Sequence, residues 1–234
     1  MALILHIETS TSVCSVAISN KEKLIFYKES PEEMSHSSAL AVLIDEGLKK
    51  CNISSSDLSA AAVSQGPGSY TGLRIGVSTA KGICYGADIP LIAIPTLSIM
   101  IQSILDEKII KNETDDYLLC SMIDARRMEV YNALYDKQGN QMTEVKADII
   151  TQDSFKKELN KQKIFFFGDG SEKCKEVIKH KNAQFIDNIY PSAQHMIQMT
   201  YKKYSDNNFE DTAYFEPFYL KDFIATVPKR NIYK

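Results

Sequence analysis

The residues able to do chemistry fall in three places. Glu8 closes the short apolar run Leu3–Ile7 and is followed by Thr9-Ser10-Thr11. The segment Gly66-Pro67-Gly68-Ser69-Tyr70-Thr71-Gly72 follows the small apolar run Ala60–Val63. Asp124 and Asp169 each follow a β-rich run, the second within Gly168-Asp169-Gly170. A carboxylate at a strand end can hold magnesium or a water. A glycine-rich turn from strand to helix can present backbone N–H groups to a phosphate. Glu8, Thr9, Gly66, Gly68, Asp124 and Gly168 are therefore the candidate nucleotide-facing residues. The bland alternative for Glu8 is a loop carboxylate that caps the Thr9-Ser10-Thr11 turn.

The glycine turn departs from the standard phosphate signatures. G-x-G-x-x-G requires a glycine where Thr71 stands. The P-loop requires Lys and then Ser or Thr after its second glycine, and Gly72 is followed by Leu73. The nucleophile elbow fails because Pro67 stands two places before Ser69. Backbone donors and Arg74 still leave an anion site open, set against a purely structural turn. No catalytic residue and no metal site is assigned. Of the four histidines, His36 opens a helical pattern, but Leu40 occupies the position where a second metal-binding histidine belongs.

The turn leads into a helical segment, Leu73–Ala87, in which Gly76, Gly82 and Gly86 recur. Each internal glycine costs about 1 kcal/mol relative to alanine, so close approach of another backbone is the expected compensation. Either this helix sits tightly on its own sheet, or Gly72-x-x-x-Gly76 and Gly82-x-x-x-Gly86 form a flat seam for a partner helix. Met34–Lys50 is a second helix, apolar over more than one stripe. Leu40, Leu43, Ile44 and Gly47 on it, with Leu73, Gly76, Val77, Ala80 and Ile83 on the glycine-bearing helix, are the candidate subunit interface.

Composition excludes several classes. With 27 basic against 30 acidic residues the net charge is −3, so no global basic field points to autonomous nucleic-acid binding. Five scattered cysteines without a C-x-x-C read as reduced thiols. No basic leader precedes Leu3, and no apolar run nears the roughly 18 residues of a membrane span. A cytoplasmic protein with no membrane association is expected. Strand runs at Leu3–Ile7, Val13–Ser19 and Lys23–Lys28 form hairpins. A strand at Asp88–Ile94 precedes a helix from Leu97 to about Glu107, capped by Thr96. After a polar connector, Tyr117–Ile123, Glu129–Tyr135 and Lys163–Phe167 repeat the strand pattern, with helices at Lys173–Lys179 and Ser192–Tyr204. The duplication predicts two α/β lobes, 1–107 and 108–234, with the C-terminal helix joining the first.

Three pieces together resemble the bacterial TsaB (YeaZ) family: Ile4–Ser10 with Cys14–Ala17, Gln65–Gly76, and Ile123-Asp124-Ala125-Arg126 with Glu129-Val130-Tyr131. Gly168-Asp169-Gly170 and Pro217–Lys221 add weaker support. The resemblance covers residues 1–135 well and thins beyond. It implies a two-lobed actin/Hsp70/sugar-kinase-like (ribonuclease H-like) fold. It also implies a non-catalytic role in making threonylcarbamoyladenosine in tRNA, beside the metal-holding transferase TsaD and the ATPase TsaE. A homodimer through the same helices, and ATP or ADP with magnesium at the complex interface, are further implications, with tRNA reached through the complex. Glu8 followed by Thr9, rather than Asp followed by Gly, discourages close approach of backbone to phosphate. A small-molecule kinase or ATPase using Glu8, Asp124 and the Gly66–Gly72 turn is the rival expectation. The terminal bases Lys221, Lys229, Arg230 and Lys234 read as a solvated tail or as phosphate contacts.

Overall fold

The computed structural model describes residues 2–30 and 36–221. Two five-stranded sheets follow one another in the chain and share a topology. In the first, β1 (Leu3–Glu8), β2 (Ser15–Asn20) and β3 (Lys23–Glu29) form antiparallel hairpins. After helix α1 (His36–Cys51), β4 (Ala60–Gly66) adds parallel to β1. After helix α2 (Tyr70–Ala87), β5 (Leu91–Pro95) adds parallel to β4, giving the order β3-β2-β1-β4-β5. Helix α3 (Thr96–Asp106) leads to the second sheet.

There β6 (Tyr117–Asp124), β7 (Glu129–Tyr135) and β8 (Lys146–Ile149) are again antiparallel. A single turn of helix, α4 (Lys156–Leu159), precedes β9 (Lys163–Phe167), and β10 (Ala183–Ile186) follows. Both pair in parallel, for the order β10-β9-β6-β7-β8. A short 3-10 segment, Ala193–Met196, runs into α5 (Ile197–Ser205). This is the two-lobed α/β architecture expected of an actin/Hsp70/sugar-kinase-like chain.

The central strands β1 and β4 are buried on both faces, which is why they read as nearly continuous apolar runs. On one face, α1 and α2 cover Leu5, Ile7, Val16, Ile18, Ala61 and Val63. On the other, Ala193 and Met196 pack with Ile4, Ala62, Ile92 and Ile94. Helix α3 lies between the sheets. Ile99 joins the first core, while Leu97, Met100, Ile101 and Ile104 pack on Leu119, Phe165 and Phe167 of the second.

Several expectations shift. Helix α2 begins at Tyr70, because the Ser69 hydroxyl accepts the Gly72 N–H at 3.3 Å and caps it three residues early. Thr96 is the first residue of α3 and not its cap; Pro95 holds the capping position, and the Thr96 hydroxyl is buried. Lys173–Lys179 is no helix. Most of its backbone bonds span three residues, as in Lys175 N–H to Glu172 and Val177 N–H to Cys174, so it stays a run of turns. Residues 192–196 are likewise 3-10, with α5 proper starting at Ile197. Met34, in the expected α1, and Lys229, Arg230 and Lys234 lie outside the described residues.

Candidate functional site

Glu8 ends β1 wholly enclosed. Its Oε1 accepts both the backbone N–H and the hydroxyl of Ser10, each at 2.5 Å, so the carboxylate closes its own following turn. Its Oε2 has no hydrogen-bond partner among the described residues. Burial raises the Glu8 pKa to about 7, against the opposing effect of the Ser10 hydrogen bonds. Two residues back, burial lowers His6 to about 3, leaving it a neutral ring whose Nε2 meets the Ser19 hydroxyl at 2.9 Å. This is the turn-capping arrangement for Glu8, and it presents no ionised oxygen to the surface.

The glycine turn meets that same loop. The Ser69 N–H donates to the Ser10 carbonyl at 2.7 Å, and the Thr9 hydroxyl donates to the Gly72 carbonyl at 2.8 Å. A Cβ on Gly68 would lie 2.4 Å from the Ser10 oxygen, and one on Gly72 2.0 Å from the Thr9 oxygen. At Gly76 it would lie 2.2 Å from the Thr9 hydroxyl oxygen. The expected close backbone approach is real, but the approaching backbone belongs to this chain. Thr9 and Ser10 pack directly against the glycines of the turn. His36, at the start of α1, adds a 2.7 Å bond from Nε2 to the Thr11 carbonyl and so serves as a loop anchor. Gly66 takes φ +107°, and the Phe218 carbonyl sits where its Cβ would be, 2.8 Å away.

The interface residues read from the sequence point inward. Leu40, Leu43, Ile44, Leu73, Val77 and Ala80 are buried in the first core, and Ile83 packs against it. Gly47 makes room for the Phe26 ring, 2.8 Å from its would-be Cβ, and Gly76 for Thr9. These residues hold α1 and α2 to their own sheet, with Ile83 half-buried at its margin. What faces outward is another set. On α1 it includes Ala41 and Val42, beside Asp45 and the terminal lysines. On α2 it is Ser78, Gly82, Tyr85 and Gly86, with Tyr85 88% exposed and nothing within 4 Å of a Cβ on either glycine. The signal was present in the sequence as Ala41, Val42, Gly82 and Gly86. Only the register of each helix on the sheet decides which stripe is free.

In the second lobe Asp124 ends β6 at the surface, held by Lys173 Nζ and accepting the Arg126 N–H at 2.8 Å. The Asp124 N–H donates to Asp169 Oδ1 at 3.1 Å, and burial raises the Asp169 pKa. Gly168 at φ +101° lets β9 turn against the Met122 carbonyl, 2.1 Å from its would-be Cβ. Between β6 and β7, Arg126 and Arg127 both hold left-handed backbone, φ 70° and 50°, where a non-glycine residue costs roughly 1–2 kcal/mol.

A strap of chain from Asp211 to Lys221 ties the lobes together. Lys81 Nζ donates to the carbonyls of Ala213 and Phe215 at 3.1 and 3.0 Å, and Phe218 N–H to Gln65 at 2.7 Å. Arg74 lies 4.1 Å over the Tyr70 ring and donates to the Tyr219 hydroxyl at 3.3 Å. Lys221 then pairs with Glu129 on β7. No group of three or more His, Cys, Asp or Glu side chains among the described residues is placed to hold a metal ion. No helix among them is long and apolar enough to cross a membrane.

Residues 30–229 match the TsaD family model, described as tRNA N6-adenosine threonylcarbamoyltransferase. The chain is similar to proteins named tRNA threonylcarbamoyladenosine biosynthesis protein TsaB. The Escherichia coli protein is 29% identical, over 95% of this chain and 96% of its own length. That of Buchnera aphidicola subsp. Baizongia pistaciae is 30% identical, over 84% and 87%. Among solved structures, YeaZ from Pseudomonas aeruginosa superposes with a TM-score of 0.78 at 22% identity, over 94% of this chain and 100% of that one.

Proposed function

The chain belongs to the TsaD family of that model and, within it, to the TsaB (YeaZ) proteins of tRNA threonylcarbamoyladenosine biosynthesis, and from there we propose that it is a non-catalytic subunit supporting TsaD. One observation carries the reading. The turn that would cradle a phosphate is packed shut by Thr9 and Ser10, with Glu8 spent on closing it. A group that is buried, half-protonated near neutrality and bonded to its own loop is poorly suited to hold magnesium on a nucleotide. In this reading ATP or ADP with magnesium belongs to the interface of the complex, which TsaE joins, tRNA is engaged as part of the complex, and the work is done in the cytoplasm.

The partner surface is the outward stripe of α1 and α2, centred on Val42, Gly82, Tyr85 and Gly86. A single family model fits both this chain and TsaD, so TsaD is the occupant we assign to it, helix pair against helix pair. Small residues permit axes about 8 Å apart, and an exposed tyrosine is a favoured anchor at interface centres. The test is capture of TsaD by Tyr85→Arg and Gly82→Arg variants whose circular dichroism matches wild type. Loss of capture is expected, together with loss of threonylcarbamoyladenosine when the chain is omitted from a reconstituted assay. Undiminished capture by both folded variants overturns the assignment. A second copy of this chain on the same stripe would appear as a concentration-dependent dimer broken by the same changes.

A further inference from the structure

The β6–β7 tip is an exposed turn whose two consecutive left-handed positions are both arginines, Arg126 and Arg127. Asn-Gly or Gly-Gly is the low-strain choice for such a turn. Bulky cations in strained backbone suggest a use for the side chains. Their own lobe does not supply that use. Asp124 is neutralised by Lys173, and Glu129 by Lys221. Asp169, which accepts the Asp124 N–H, is half-buried and its pKa is raised by burial. Among the described residues neither Arg126 nor Arg127 has a carboxylate partner within 4 Å. Among the described residues the tip therefore carries positive charge without an acidic partner, on a chain whose net charge is −3.

The strap runs up to the foot of this tip. Lys221 sits against Glu129 at the foot of the turn. Two residues earlier, Tyr219 stacks on Tyr70 with ring centres 4.9 Å apart and accepts from Arg74. Arg74 is exposed, lies over the Tyr70 ring and bonds the Tyr219 hydroxyl, with Glu216 near enough to act on its charge. Exposed guanidinium groups suit phosphodiester charge, and tyrosines suit unstacked bases.

We propose that the Arg126–Arg127 tip is a phosphodiester-binding site by which this chain contacts the tRNA backbone directly. The proposal rests on the family's named product, and goes beyond the reading that tRNA is met only through the complex. Such contacts position an RNA without reading its sequence.

The test is titration of an unmodified tRNA transcript with the full chain, alone and bound to TsaD, at several salt concentrations. Three proteins are compared: wild type, the double variant R126G/R127G, and R126K/R127K. The glycine pair suits the turn, so its melting temperature should equal or exceed wild type. Its RNA affinity should nonetheless fall about tenfold, with the salt slope reduced by about 2. The lysine pair should stay within about threefold of wild type. Unchanged affinity and slope in R126G/R127G, alone and with TsaD, overturns the proposal. So does reduced capture of TsaD with RNA affinity intact, which would make the tip an acidic protein's site. Tyr85→Arg, in contrast, should leave the affinity of the isolated chain unchanged, so failure of the helix-face reading is seen separately.

Discussion

The two lobes share a strand order and treat it differently. At the end of β1 the carboxylate Glu8 is enclosed, and its turn is filled by Thr9 and Ser10 against three glycines. At the end of β6 the carboxylate Asp124 is at the surface, and its turn is a tip of two exposed arginines. After β4 the chain makes an 18-residue helix; after β9, at the equivalent place, it makes only a three-residue 3-10 turn. The first lobe keeps long helices with a free outer stripe, and the second is trimmed to turns and charge. The comparison teaches that one strand order can end in a packed, enclosed turn in one lobe and in an exposed, charged tip in the other.

The strongest way to break this contrast is at the filled turn. Gly72→Leu drives a side chain into the Thr9 carbonyl, and a loss of at least about 3 kcal/mol or failure to fold is expected. Gly168→Ala should be comparably severe, from both its φ of +101° and the Met122 carbonyl. Urea unfolding measures both. A stable Gly72→Leu protein would mean that the turn is open and the phosphate reading must return.

The enclosed carboxylate gives the next effect. The folded Glu8 pKa, about 7, lies above its ordinary value of 4.5, so the folded state holds the extra proton between these values. Its contribution to stability is therefore fully present below about pH 4.5 and lost as pH rises through 7. The loss is on the order of 3 kcal/mol. Glu8→Gln should unfold at higher denaturant than wild type at pH 8, with the gap closing toward pH 5. A gap that does not depend on pH would contradict the burial argument.

Smaller effects sharpen the contrast on the outer surfaces. Gly82→Ala, on the open stripe, should stabilise the free chain by up to about 1 kcal/mol. Lys221→Ala, which unfastens the strap from Glu129, should cost no more than about 1 kcal/mol by thermal melting, because the pair is partly exposed. A larger loss there would make the strap a structural clamp between lobes.

The sequence made the duplicated order legible, because Val-, Ile- and Phe-rich runs and their turns recur at like spacing. The short strands β8 and β10 were not legible, since their four residues are half-exposed and carry little pattern. At the site, glycine spacing announced close backbone contact but not its partner. That depended on Thr9 and Ser10, far off in the sequence at the end of β1, folding over the turn. Leu40 and Leu73 were read as interface residues and lie instead in the chain's own core, because a helix apolar on adjacent stripes does not reveal which stripe its own sheet takes. The Arg74–Tyr70–Tyr219 stack joins residues 145 apart, beyond any local signal.

Helix α3 sets how the molecule can move. It is a wall common to both cores, giving Ile99 to one and Leu97, Met100, Ile101 and Ile104 to the other. At its far end His195 meets Asp106 at 3.0 Å and Glu107 at 3.2 Å, pinning the chain that returns to the first lobe. A hinge needs a few residues free to turn, and here a packed helix stands where the hinge would be. A helix packed into both cores favours small sliding of the lobes along α3 over a hinge within it.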